Sequence, residues 1–324
     1  MQQASELWRP GLTRQRLLDR AKVMASIREF FVSRDVLEVE TPLLSRAGVT
    51  DPHLTNALTT LNSLGPSPYY LQTSPEYAMK RLLAAGSGSI FQLARVVRDD
   101  EVGRWHNPEF TLLEWYRVGS DEHQLMDEVD DFLQAMLHCG AAERITYQQA
   151  FLRYLQIDPL TDEGLSSLRA WLVRQDIGSW IADEPDHDVL LHLAMSFYIE
   201  PLIGTEVPCF IYNFPASQAS LAKIDATDKR VARRFEAYFK GVELANGFYE
   251  LTDAQAQARR FAEDNRQREQ MGRPPASIDT RFLAALEAGM PECAGVALGV
   301  DRLLMLKWQV DHIDQVQTFS IQRS

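Results

Sequence analysis

The chain has 324 residues, 45% hydrophobic and 24% charged, enough apolar material for a sizeable core in one large or two ordinary domains. Its net charge of −12 argues against a broad electrostatic grip on nucleic acid, which needs clustered Lys and Arg. The polar start Met1-Gln2-Gln3-Ala4-Ser5-Glu6 and the scattered Cys139, Cys209 and Cys293 lead us to expect no signal peptide, membrane span, disulfide frame or zinc site, and a cytoplasmic location.

Leu17, Leu18, Ala21, Met24, Ile27, Phe30 and Phe31 recur at helical spacing and predict an amphipathic helix over residues 14–34. Val36–Glu40 reads as a strand stopped by Pro42, and Tyr69–Gln72, Ser89–Val97 and Glu109–Val118 as further strands. The last two flank Asp99–Asn107, which predicts an antiparallel hairpin with Arg98 at a strand end. Residues 121–200 are helix-rich, with Leu125, Met126, Val129, Phe132, Leu133, Met136 and Leu137 at helical spacing, and read as an insertion. Cys209–Tyr212 and Gly241–Thr252 return to strand character. Lys229-Arg230 with Arg233-Arg234, and Arg259-Arg260 with Arg266, Arg268 and Arg273, read as solvated helix faces balanced by neighbouring acids rather than a nucleic-acid patch. Near the C-terminus a glycine-containing turn opens a helix over Arg302–Trp308. With no repeat or linker, one continuous α+β domain over residues 1–324 is the simplest account.

Two arginine-centred segments stand out. The first is Val96-Val97-Arg98-Asp99-Asp100-Glu101, leading into His106-Asn107-Pro108-Glu109-Phe110; the second is Gly295-Val296-Ala297-Leu298-Gly299-Val300-Asp301-Arg302. Each arginine sits where chain geometry can fix it, and a guanidinium makes charge-assisted, often bidentate bonds to phosphate. Together they point to an ATP site.

These segments resemble the second and third motifs of the class II lysyl-tRNA synthetases, with Thr111-Leu112-Leu113-Glu114-Trp115-Tyr116 continuing the second. Phe30-Phe31 through Val36-Leu37-Glu38-Val39-Glu40-Thr41-Pro42 resembles the first motif. Gln72-Thr73-Ser74-Pro75-Glu76-Tyr77 and Gly241-Val242-Glu243-Leu244-Ala245-Asn246-Gly247-Phe248-Tyr249-Glu250-Leu251 resemble the family's amino-acid and metal segments. The match runs from about Arg14 to the C-terminus and implies the family's antiparallel sheet flanked by helices. No anticodon-reading domain is expected. End to end, the chain is similar to free-standing members of the family that attach (R)-β-lysine to a lysine of translation elongation factor P.

The resemblance implies acyl-adenylate chemistry, in which a carboxylate attacks the α-phosphorus of ATP and pyrophosphate leaves. Positioning and charge neutralisation suffice, without a protein nucleophile. Arg98 would hold the α-phosphate and the carboxylate, and Arg302 the γ-phosphate and one face of adenine. Phe110 would stack on the other face, with Asp99, Asp100, His106, Asn107, Leu244 and Gly299 lining the nucleotide. Glu243 and Glu250 match the magnesium ligands. Ser74, Pro75, Glu76, Glu114, Tyr116 and Asn246, with Glu250, match positions that bind the substrate; a desolvated ammonium must in any case meet carboxylates or hydroxyls. The first motif implies a homodimer.

Two departures matter. Asp100 stands where the lysine enzymes carry Glu, so either it reaches adenine through a water, or Glu101 substitutes, or adenine recognition is weaker. Ala297 replaces a glycine at the pocket floor, where a methyl takes the space of an α-amino group and fits a β-amino acid; a purely structural exchange is the alternative. The competing functional readings are a stand-alone core that activates lysine for tRNA or another acceptor, with tRNA disfavoured, and a non-catalytic paralogue. The intact Arg98, Glu243, Glu250 and Arg302 speak against the last.

Overall fold

The computed structural model describes residues 8–99 and 102–324. Asp100 and Glu101, between which the adenine contact was left open, lie outside the described residues. The chain forms two compact units, one comprising the residues up to Ser120 together with Leu251–Ser324, the other Asp121–Glu250.

In the first unit, α1 (Arg14–Val32) begins at Thr13, whose hydroxyl accepts from the Arg16 N–H, and buries Val23, Ile27, Phe30 and Phe31. Strand β1 (Leu37–Glu38) runs parallel to β5 (Ile90–Val97), β5 pairs antiparallel with β6 (Glu109–Val118), and β6 with β11 (Cys293–Gly299). The registers of β5, β6 and β11 are unbroken, so Gln92, Glu114 and Ala297 form one row and Val96 and Phe110 share another. Side-chain alternation therefore places Phe110, Leu112, Glu114, Tyr116 and Ala297 on one face, and Phe91, Leu113 and Trp115 on the opposite one. Helix α1 covers that opposite face. Its fully buried Phe31 stacks on Phe91 at 4.7 Å and meets Trp115 at 5.1 Å between ring centroids. Truncating Phe31 to Ala would cost about 3–5 kcal/mol.

A small antiparallel sheet joins β2 (Leu44–Ser45), β4 (Tyr69–Leu71) and β3 (Leu58–Thr59) in the same unit. Helices α2 (Glu76–Ala84), α7 (Ala254–Gln270) and α8 (Thr280–Gly289) pack through Tyr77, stacked on Phe282 at 4.8 Å and 5.8 Å from Phe261. Helix α9 (Val300–Trp308) follows β11 directly.

The second unit opens with α3 (Glu122–Leu137), started by a capping box between Asp121 and Gln124. Its strands pair β7 (Glu143–Thr146) parallel to β8 (Cys209–Pro215), then β9 (Val231–Phe239) and β10 (Val242–Tyr249) antiparallel in turn. Helices α4 (Tyr147–Leu155), α5 (Asp162–Arg174) and α6 (His187–Ala194) bury Phe151, Leu168, Leu172 and Leu191 in a core that includes Ile211 of β8. The α+β class and the helix-rich insertion hold.

Several local expectations change. Gly295–Gly299 is not a turn but part of β11, because pairing with β6 along the whole segment outweighs the poor strand propensity of Gly and Ala. Arg302 still enters the first turn of a helix, now starting at Val300. Arg233 and Arg234 are not on a helix face; they are neighbours on β9 and point to opposite sides of it. Arg233 Nε donates to Glu122 Oε1 at 2.7 Å, and Arg234 pairs with Glu236. Lys229 and Arg230 precede that strand, with Arg230 on Asp228 at 2.7 Å. Helix α7 forms, but Arg268 is buried and donates to the carbonyls of Pro274, Asp51 and Leu54, while Arg273 donates to Pro52. Among the described residues no helix is long and apolar enough to cross a membrane.

Candidate active site

The hairpin of β5 and β6 fixes the first arginine. Its Arg98 N–H donates to the Pro108 carbonyl at 2.9 Å and its Nε to the Thr73 carbonyl at 3.2 Å. The guanidinium carbon lies 5.3 Å from the Phe110 ring centroid, so the expected phosphate ligand and adenine platform stand together. The second arginine, Arg302, places Nη2 2.6 Å from His106 Nε2. A guanidinium only donates, so Nε2 is the acceptor in this contact, which fits the tautomer with the ring proton on Nδ1. The loop between the strands thus meets Arg302 at its His106 end.

The neighbour of Arg302 holds α9 in place. Asp301 is buried and accepts from Arg20 Nη1 of α1 and from the Thr111 N–H, each at 2.8 Å. Gly299 caps the helix start. Asn107 is turned to the backbone, donating to the Glu109 carbonyl at 2.6 Å and accepting from Ile321 N–H at 3.0 Å, which fixes the loop's shape. The Asp99 N–H donates to the Thr55 carbonyl at 3.2 Å.

On the same sheet face lies an acidic cluster. Ser74 Oγ donates to Glu114 Oε2 at 2.5 Å, Tyr116 Oη donates to Glu114 Oε1 at 2.6 Å, and the Glu76 N–H donates back to Ser74 Oγ at 3.1 Å. Pro75 forms the N-cap of α2, which brings Glu76 into its first turn. Burial, and then the nearby Glu76 carboxylate, push the Glu114 carboxyl up to about 7; the two hydroxyl donors and the Lys80 ammonium pull the other way. An arriving ammonium would displace the proton that Glu114 retains near neutrality. Ala297 is directly opposite Glu114 in the β6–β11 register and half-buried.

One member of this cluster escaped the sequence reading. Lys80 is buried and its Nζ donates to Glu76 Oε1 at 2.6 Å. The signal was the spacing of four between Glu76 and Lys80, which puts opposite charges on one helix face.

The second unit carries the remaining expected residues on or beside β10. Strict alternation would put Glu243 and Glu250, seven apart, on opposite faces. A bulge between Glu243 and Ala245 resets the alternation: Glu243 faces Tyr238, and Asn246 faces Glu236, two residues of one β9 face. Glu243, Asn246 and, continuing the alternation, Glu250 therefore share a side, while Leu244 is buried. On that side Asn246 Nδ2 donates to Glu236 Oε1 at 3.1 Å, and Glu236 also accepts from Arg234 and Tyr238. Two carboxylates on one side of a strand suit a hard cation. Among the described residues no cluster of three or more His, Cys, Asp or Glu is assembled for a metal, so an ion held there would complete its shell with ligand oxygens and water, as magnesium does with phosphates.

The chain matches the family model of class II tRNA synthetases (D, K and N) over residues 4–323, and it belongs to that family. It is 56% identical over 320 residues to the elongation factor P–(R)-beta-lysine ligase of Proteus mirabilis (strain HI4320). It is 53% identical over 323 residues to the protein of the same name from Hamiltonella defensa subsp. Acyrthosiphon pisum (strain 5AT). Each alignment covers 98% of both chains.

Proposed function

We propose that residues 1–324 act as one class II catalytic core that activates (R)-β-lysine with ATP and transfers it to the ε-amino group of a lysine on translation elongation factor P. The observation that carries this reading is a single sheet face. It bears the hydroxyl-bonded Glu114 and Tyr116, with Ala297 opposite and Arg98 over Phe110 two rows away. A diamino acid bound there through an ammonium presents its carboxylate toward a guanidinium suited to an α-phosphate.

In the first step the substrate carboxylate oxygen bonds to the α-phosphorus and the bond to the pyrophosphate oxygen breaks. Arg98 and Arg302 neutralise the charge that grows on the phosphate oxygens. Glu76 and Glu114 hold the ammonium, and Phe110 carries adenine. Glu243 and Glu250 are the residues that would hold magnesium, which neutralises phosphate charge when bound. In the second step the acceptor amine attacks the acyl carbon, the carbon–oxygen bond to AMP breaks, and the amine loses a proton. A protein acceptor is favoured over tRNA because Arg233, Arg234, Arg268 and Arg273 are engaged in internal contacts.

The same reading assigns a two-fold symmetric dimer to the α1 and β1 surface. Leu17 and Leu18 of α1 are exposed, and Val32 and Leu37 stay 59% and 57% exposed although their chain neighbours Phe31 and Val36 are buried. An isologous partner would cover them.

Pyrophosphate exchange with α-lysine, (R)-β-lysine and (S)-β-lysine in parallel tests activation, and transfer of the labelled acyl group to elongation factor P or to tRNA tests the acceptor. Exchange with (R)-β-lysine and label on the protein are expected. Exchange with α-lysine alone and label on tRNA would replace this reading with that of a stand-alone tRNA-charging core.

A further inference from the structure

We propose that Lys80 is a positioning residue for amino-acid activation: its ammonium, sealed inside the unit, holds the Glu76 carboxylate ready to receive a substrate ammonium. The inference rests on the assignment of Glu76 and Glu114 to substrate recognition.

The ion pair is asymmetric. The Lys80 side chain is 0% exposed and that of Glu76 18%, at a separation of 2.6 Å. One partner therefore anchors from within while the other reaches toward solvent. The lysine stem lies under α8, with Nζ 5.8 Å from the Phe282 ring centroid. Packing alone does not call for an ammonium there. A buried ion pair is commonly replaced by apolar side chains of similar volume without loss of stability, so a methionine could fill the same space. What methionine could not do is fix a carboxylate.

Charge counting agrees. Glu76 and Glu114 bring two negative charges when both are ionised, and Lys80 brings one positive charge, leaving room for one more cation. Without Lys80 the two carboxylates would repel each other more strongly, and the Glu114 carboxyl would rise further, since the lysine lowers it. Other charged groups near this helix include Arg81 on α2 itself and Asp279 at the start of α8, Asp264 on α7 and Asp51, the three acids bearing on the adjacent Tyr77, with Arg260 beside Asp264. They are retained in every variant below, so they do not confound the comparison.

The test is pyrophosphate exchange by the full chain with (R)-β-lysine across pH 5.5 to 9, for wild type, Lys80→Met, Lys80→Arg, Glu76→Gln and the Lys80→Met/Glu76→Gln double variant. Lys80→Met is expected to raise the KM for (R)-β-lysine roughly 10- to 100-fold, the scale of losing a hydrogen bond to a charged group. The KM for ATP should stay unchanged, and the acid limb of kcat/KM for the amino acid should move to higher pH. Lys80→Arg should bring the limb back toward its wild-type position. In the Glu76→Gln background, Lys80→Met should raise the KM far less, because the lysine holds the Glu76 carboxylate, and what remains is its direct lowering of the Glu114 carboxyl. A lowered melting temperature with an unmoved KM and limb would overturn the inference in favour of a purely structural ion pair. If Lys80→Met does not fold, the pair Lys80→Arg and Glu76→Gln decides: an acid limb identical in Lys80→Arg and wild type supports the charge requirement, and equal, large KM losses in both overturn it. A Glu76→Gln variant with wild-type KM would instead remove the substrate assignment on which the inference stands.

Discussion

Two buried carboxylates, one in each unit, have opposite surroundings. Glu236 on β9 accepts from the Arg234 guanidinium, the Tyr238 hydroxyl and the Asn246 amide. Glu114 on β6 takes its hydrogen bonds from the hydroxyls of Ser74 and Tyr116, with the Glu76 carboxylate nearby, and its carboxyl is pushed up to about 7. The first site is supplied with positive charge from within. The second is left short of it, as a site must be if it is to take its cation from a substrate. A buried acid held by a guanidinium supports the fold; one held by hydroxyls, with the Lys80 ammonium paired to Glu76, fits the substrate cation proposed for it.

The largest effects should come from Arg98 and Arg302, the proposed phosphate ligands. Arg98→Ala or Arg302→Ala is expected to slow adenylate formation roughly 10²- to 10³-fold or more, because each removes charge stabilisation that grows toward the transition state. Circular dichroism and melting temperature should stay near wild type. Exchange rates within a few fold of wild type would remove these roles.

Exchanging each acid for its amide tests the comparison itself. Glu236→Gln removes the negative charge opposite the Arg234 guanidinium, which keeps its bond to the Gln218 carbonyl, and should cost about 2–3 kcal/mol of stability, discounted from the fully buried case because both partners are slightly exposed. In mildly acidic buffer, where the buried acid keeps its proton, Glu114→Gln should leave the melting temperature intact, and it should raise the KM for (R)-β-lysine roughly 10- to 100-fold. The reverse pattern, a stable Glu236→Gln and an unfolded Glu114→Gln, would break the distinction.

The elevated Glu114 carboxyl also sets a pH dependence. Substrate ammonium prefers the ionised acid, so below about 7 a proton must leave on binding, and affinity for (R)-β-lysine should fall by up to about tenfold per pH unit. ATP affinity should not follow the same curve. For stability the sign is opposite to that of an ordinary salt-bridged acid. The folded state holds this proton more tightly than the unfolded one, so the contribution of Glu114 to stability declines as pH rises from its ordinary 4.5 to about 7. Glu114→Gln should flatten that slope in thermal melts.

How far these sites were legible depended on whether period-two alternation survived. Along β5, β6 and their hairpin it does, so the strand bounds, the place of Arg98 and the shared face of Glu114 and Tyr116 could be read from spacing. On β10 the bulge after Glu243 broke it, and only the backbone shows that Glu243 and Asn246 share a side. Strand β11 was hidden by its Gly and Ala content, and β9 by two adjacent arginines that read as a helix face. Lys80 was hidden by type, since lysines are almost never buried unless paired.

The smallest expected effect concerns Ala297, the residue opposite Glu114 in the β6–β11 register. Its methyl is half-buried on the face that carries the acid, beside a cluster formed by Ala94, Val96, Leu112 and Phe110. If that methyl excludes an α-amino group, Ala297→Gly opens volume next to the carboxylate without touching Arg98 or Arg302. Activation of α-lysine should then rise relative to (R)-β-lysine. One methyl discriminates by about 1–3 kcal/mol, and the lower end, roughly tenfold, applies at a pocket wall that solvent partly reaches. A glycine that merely loosened β11 would act differently, because added backbone freedom lowers both rates together. The ratio of exchange rates for the two isomers, measured in wild type and Ala297→Gly, separates the cases: a changed ratio places selectivity at the wall facing Glu114, and an unchanged one leaves Ala297 as part of the strand and moves selectivity to the carboxylates themselves.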